Sequence, residues 1–194
     1  MNADTIEVPG FADPVGDAQT TFRAVLQAMS RPGSIMPAGT GLRPPAPLDR
    51  ATAAVALTIV DQETTLFIGP PLRGAGAWLA FHTGAHIVED SVRANFLLLS
   101  IWPDLAGLQA GTDEAPEDSA TLILQVAALG AGPAYRLEGP GLAGPTTLRV
   151  IGLPAGFVAE WQHNHGLFPR GVDVVLCAGD QIAALPRSVS IGAA

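Results

Sequence analysis

Between residues 18 and 29 the apolar positions fall three and four apart, at Ala18, Phe22, Val25, Leu26 and Met29. That spacing predicts a helix with one apolar stripe. Asp17 is placed to cap its start. Pro32-Gly33 ends it, because proline disfavours helical backbone at Arg31. A second helix is expected from Arg50 to about Val60, behind Asp49 as its cap. It is apolar on most faces and should be buried. A third, over residues 72–82, carries Leu72, Trp78, Leu79 and Phe81. A fourth opens at Pro154 and runs to about His163, with Phe157, Val158 and Trp161 turned inward.

Other segments read as strands. Thr65–Ile68 is one, and the unbroken apolar runs at 96–101 and 121–129 suit strands buried on both faces. Ala134–Glu138 and Thr147–Ile151 read as a pair around a Gly-Pro turn. Two apolar runs flank Ala178-Gly179-Asp180-Gln181, a hairpin signature. Residues 33–48, punctuated by Gly and Pro, read as a short strand and a loop. Residues 1–16 read as an extended arm. Strands interleaved with helices predict one α/β domain over residues 1–194, a three-layer α/β/α sandwich with a mixed sheet.

Composition narrows the chemistry. Of 194 residues, 48% are hydrophobic and only 14% charged. This supports a large core and leaves thin polar cover, so some apolar surface is expected against another subunit. The net charge is −8, which argues against nucleic acid and anionic membrane as partners. All ten basic residues are arginine. With no lysine, a Schiff base, a pyridoxal phosphate aldimine and a P-loop lysine are all excluded. The single cysteine, Cys177, excludes an internal disulfide and an iron–sulfur cluster. The acidic N-terminus lacks the pattern of a secretion signal, and no apolar run is long enough to span a membrane, so a cytoplasmic protein is expected.

Few motifs carry chemistry. Gly139-Pro-Gly141-Leu-Ala-Gly144 matches the dinucleotide-binding fingerprint, but the β-like segment after it favours a hairpin. Glu160, His163 and His165 lack the spacing of a metal site, and no metal is expected. His82 sits at a helix end, where it is either an electrostatic cap or a ligand or interface histidine. Arg23, Arg136 and Arg187 either bind an anionic group or pair with internal carboxylates such as Asp17, Glu117 or Asp173. Cys177 lies in an apolar strand, where a packed, inert thiol is the default.

A series of short strings, in constant order from residue 17 to 188, resembles the PhnH family. It includes Asp17-Ala18-Gln19 with Phe22-Arg23, Phe81-His82-Thr83, and Ala120 through Ala127. It closes with Arg136-Leu137, Phe168-Pro169 with Gly171 and Asp173, and Leu185-Pro186-Arg187. The resemblance implies a homodimeric subunit of the carbon–phosphorus lyase machinery that assembles with PhnG, PhnI and PhnJ. It also implies a fold similar to pyridoxal phosphate-dependent transferases, without that or any other cofactor. In the family the radical bond-breaking step belongs to PhnJ, and nucleoside exchange on ATP is assigned to PhnI. No catalytic residue is agreed for PhnH. An accessory, non-catalytic role is therefore expected. The alternative is a nucleotide or phosphonate site at the dimer interface, drawing on Arg23, His82, Arg136, Asp173 and Arg187.

Overall fold

A computed structural model describes residues 7–194. Residues 1–6 of the expected N-terminal arm lie outside the described residues. A seven-stranded sheet forms the middle of the molecule. Five of its strands are parallel and neighbour one another: β2 (Thr65–Ile68), β3 (His86–Val88), β4 (Phe96–Leu99), β5 (Thr121–Gln125) and β8 (Asp173–Ala178), in the order β8-β5-β4-β2-β3. Two antiparallel strands, β9 (Gln181–Leu185) and β1 (Met36–Pro37), extend the β8 edge. The sheet is mixed, as expected.

Alternation along the strands builds a separate core on each face. Ile123, Leu98, Leu66, Val175 and Ile182 point to one side. There they meet α1 (Pro14–Ser30), α2 (Arg50–Ile59) and α3 (Gly76–Thr83). Leu122, Leu124, Leu97, Val174 and Leu176 point to the other. This second layer departs from the helical layer expected of a three-layer α/β/α sandwich. Besides α4 (Phe157–His165) it contains a three-stranded antiparallel sheet, β10-β6-β7, made of β6 (Ala128–Glu138), β7 (Thr146–Ile151) and β10 (Ser190–Ala193). Tyr135, Leu137, Leu148 and Val150 of that sheet face inward, while Arg136, Glu138, Thr147 and Arg149 face water. A period of two makes a half-buried sheet that covers the central one as a helix layer would.

Several local expectations shift. α1 begins at Pro14 with Asp13 as its N-cap, not at Asp17. The Asp13 carboxylate accepts the Gly16 N–H at 3.1 Å, and Asp17 reaches back to accept the Asp13 N–H at 3.1 Å. Asp17 therefore serves the helix start from its first turn, which is why it looked like the cap. The apolar run 121–129 is not one strand. The Val126 N–H still bonds to Cys177, but the next N–H, of Ala127, bonds to Ile151. One peptide step carries the chain from the large sheet to the small one. The third helix is split: a 3₁₀ segment over Pro70–Ala75 precedes α3, and Gly84 closes α3 in the left-handed region at φ +72°.

α2 is enclosed, as its pattern predicted. Ala51–Ala56 are all buried. Val8 and Phe11 of the arm pack against the same core. The arm is fastened at Val8, whose carbonyl oxygen accepts the Trp78 indole N–H at 2.8 Å and lies 3.1 Å from His82 Nε2.

Candidate functional site

Of the five residues singled out in the sequence, the structure brings two together. Asp173 opens β8, and Arg187 follows β9 two residues after Leu185. The pairing of β8 with β9 therefore sets them side by side. The Arg187 Nε lies 3.2 and 3.1 Å from the two carboxylate oxygens of Asp173, and Nη2 donates to Oδ2. Nη1 donates to the Pro116 carbonyl at 2.7 Å and to that of Pro169 at 3.4 Å. The Arg187 N–H adds a bond to Asp173 Oδ1 at 2.7 Å, and its carbonyl oxygen meets His165 Nδ1 at 2.9 Å. The two side chains are 14% and 22% exposed. A guanidinium has five N–H groups, and these contacts use most of them. The pair holds four chain segments together and has little left for a ligand.

The other three candidates lie apart. Arg136 stands on the watery face of β6 and pairs with Glu138 on the same strand. His82, in the last turn of α3, holds the arm at Val8. Arg23 is exposed on α1. Among the described residues, no hydrogen bond or ion pair joins these three to one another.

Position within the sheet argues the same way. Asp173 marks the amino end of a parallel strand, whereas ligands in open α/β sheets sit outside the carboxyl ends. At the carboxyl ends of β5 and β8 the structure has a cleft of about 510 Å³. It is lined by Arg43, Leu48, Asp49, Arg50, Gly179 and Asp180 among others. Gln125, the last residue of β5, holds the loop that forms one wall: it accepts the Asp49 N–H at 2.8 Å and donates to the Pro47 carbonyl at 3.0 Å. Asp49 precedes α2 but does not cap it. Its carboxylate accepts the Gly179 N–H at 3.0 Å instead. Arg43 and Arg50 have no carboxylate within ion-pair distance among the described residues. Arg50 at the start of α2 and Arg43 in the loop before it favour an anion, and the carboxylates of Asp49 and Asp180 oppose it. Sequence reasoning passed over this cleft, because nothing in the loop 43–50 marks it as approaching the turn at residue 179.

The remaining motifs have structural roles. Glycines 139, 141 and 144 lie in the β6–β7 hairpin, with strand and not helix after them, as the sequence favoured over a dinucleotide fingerprint. Gly141 allows close packing: a Cβ there would lie 2.0 Å from the Ser30 carbonyl oxygen. Glu160 accepts the Trp102 indole N–H at 2.7 Å. Asn164 clasps the backbone of Val172 in both directions, at 2.9 and 2.8 Å. Cys177 is fully buried, and burial pushes its thiol pKa well above the ordinary range, away from the thiolate a nucleophile needs. No helix among the described residues is long and apolar enough to cross a membrane.

The chain is an α/β protein with a mixed seven-stranded sheet and a second, small antiparallel sheet, in which Asp173 with Arg187, His82 and Glu160 tie parts of the fold together. The family model for "Bacterial phosphonate metabolism protein (PhnH)" matches residues 9–192, and the chain belongs to the PhnH family. A relative from Rhizobium meliloti (strain 1021) is 38% identical over 186 residues, 93% of each chain, and is described as alpha-D-ribose 1-methylphosphonate 5-triphosphate synthase subunit PhnH. The protein HtxG of Stutzerimonas stutzeri, whose name assigns it to C-P lyase subunits, is 33% identical over 180 residues, 89% of this chain and 85% of that one.

Proposed function

We propose that this chain is a cytoplasmic, non-catalytic subunit of a synthase that attaches a phosphonate to ribose triphosphate, assembled as a homodimer with PhnG, PhnI and PhnJ. Family membership supports the pathway. The observation that carries the accessory role is the use of polar side chains within the fold: Arg187, Asp173, Arg136, Glu160 and His82 all have internal partners. Among the described residues, no serine, threonine or cysteine side chain hydrogen-bonds to a histidine or a carboxylate. The likeness to pyridoxal phosphate-dependent transferases belongs to the same proposal. A chain without lysine could share that fold but could not form the cofactor's internal aldimine.

Reconstitution tests the proposal. The purified chain alone, given ATP and methylphosphonate, should give no ribose phosphonate. Omitting it from a mixture of the synthase subunits should abolish the product, and a tagged chain should co-purify with PhnG, PhnI and PhnJ. Turnover by the chain alone, or full activity in its absence, would refute the accessory role.

A further inference from the structure

We propose that the cleft at the carboxyl ends of β5 and β8, together with the cavity beside it under the N-terminal arm, binds a nucleoside phosphate. The inference goes beyond the accessory role and does not depend on it. It starts from polar side chains that the fold leaves unused. Among the described residues, the side chains of Arg23, Arg31, Arg43, Arg50 and Arg93 make no hydrogen bond or ion pair. Of these, Arg43 and Arg50 line one cleft. Leu42 and Leu48, both buried, pin the loop between them, and Arg43 stands at its start. Arg50 opens α2. The helix end itself adds little, since the Ala51 N–H is taken by the Gly179 carbonyl at 2.9 Å.

The carboxylates decide what kind of anion fits. Asp49 Oδ2 accepts the Gly179 N–H, which fixes that side chain and leaves Oδ1 free. Neither Asp49 nor Asp180 closes on Arg43 or Arg50, although all four side chains line the same cleft of about 510 Å³. A bare anion gains from the two guanidinium groups and loses against the two carboxylates. A phosphate that carries sugar hydroxyls gains from all four, because a carboxylate accepts hydroxyl hydrogens, as one does from ribose in dinucleotide-binding sheets.

Arg43 also lines a second cavity of about 550 Å³, walled by Val8, Pro9, Gly10, Ala12 and Gly41 together with Glu7. Most of that wall is apolar, as the seat of a planar base must be. Glu7 is its one acidic residue and can accept the amino group of adenine. Both volumes fall in the range of small-molecule sites, about 300–1,000 Å³. The shared arginine makes the two spaces neighbours, so one ligand reaches both. Its phosphate lies at Arg43 and Arg50, its ribose hydroxyls at Asp49 and Asp180, and its base under the arm. The net charge of −8 repels a polyanion, which leaves a mononucleotide and not a nucleic acid chain.

Titration calorimetry on the full chain tests this, with ADP, ribose 5-phosphate, adenosine and inorganic phosphate as probes. ADP should bind about tenfold more tightly than any of the other three, since each of them lacks part of the ligand. Arg43→Ala and Arg50→Ala should each weaken ADP about tenfold. Their circular dichroism should not change, because both side chains are exposed. Arg93→Ala, which removes an unpaired arginine elsewhere, should leave binding as it is. Asp180→Asn should weaken ADP but not inorganic phosphate. ADP should also slow amide exchange in residues 8–12, which a phosphate held by surface arginines alone would not do. No binding at millimolar ADP, equal loss in Arg93→Ala and Arg43→Ala, or unchanged exchange in residues 8–12 would each overturn the inference. So would ADP that binds no better than inorganic phosphate. These measurements involve neither turnover nor a partner subunit, so a failure to co-purify with PhnG, PhnI and PhnJ would count against the functional reading alone.

Discussion

At the residue scale, two side chains can be tested for what holds them. Asp173 accepts three of the donors of Arg187, counting its backbone N–H. Removing one partner leaves a mostly buried charge uncompensated, which costs more than the pair is worth. Solvent reaches both groups, so the cost falls below that of a fully buried pair. Asp173→Ala should lose about 2 kcal/mol in urea unfolding. Asp173→Ala with Arg187→Ala should lose less than the sum of the two single changes. Cys177 makes a pH prediction. Burial raises its thiol pKa above that of a free cysteine, and burial raises the Tyr135 hydroxyl as well. A folded-state pKa above the unfolded one contributes stability that is full below the unfolded pKa and is lost as pH rises beyond it. The melting temperature should therefore fall above about pH 9, and Cys177→Ala should flatten part of that fall. A maleimide should label Cys177 only after denaturation.

At the element scale, the sequence made most strands legible because their patterns depend on burial alone. The runs at 65–68, 96–99, 121–125 and 173–177 have apolar residues on both faces, and each lies between two neighbouring strands of the sheet. The helix of residues 14–30 was legible as a helix, but not which side of it faces the core. The periodicity of Phe22, Leu26 and Met29 reports a stripe, and only packing decides whether a stripe of small or of large residues meets α2. The step between sheets at residues 126 and 127 left no mark, because both strands are apolar there. The charged sites were least legible. An arginine's partner depends on which strand ends meet, and the Asp173–Arg187 pair needs the β8–β9 register. At this scale Gly141→Ala is the informative change. It puts a Cβ 2.0 Å from the Ser30 carbonyl and forces alanine to φ +82°. The hairpin would have to pull away from the end of α1, at a cost of about 1–3 kcal/mol, read as a lower urea midpoint. Gly144→Ala, with nothing within 4 Å of its Cβ, is the control and should change little.

At the scale of the whole molecule, the two cores are not equally closed. The core facing β6, β7 and α4 is sealed by continuous secondary structure, with Trp161 wholly buried and its indole N–H bonded to Val189 at 2.8 Å. The core under α1, α2 and α3 depends in part on an extended arm. Its hold at Val8 is one carbonyl oxygen shared by Trp78 and His82, and the rings of those two residues lie 4.8 Å apart. An extended segment has no hydrogen-bond ladder of its own, so it opens at a lower free energy than the core beneath it. Trp78→Phe keeps the packing of a large ring but removes one donor from Val8. It should cost about 1 kcal/mol overall, a fall of about 2–4 °C in melting temperature for a domain of this size. The local effect should be larger. Amide exchange in residues 8–12 should quicken while that of β5 and β8 stays slow, because the variant loosens the arm without touching the sheet. If exchange in β5 rises in parallel with the arm, the arm and the helical core open as one unit, and the strap is part of the cooperative fold and not a cover on it.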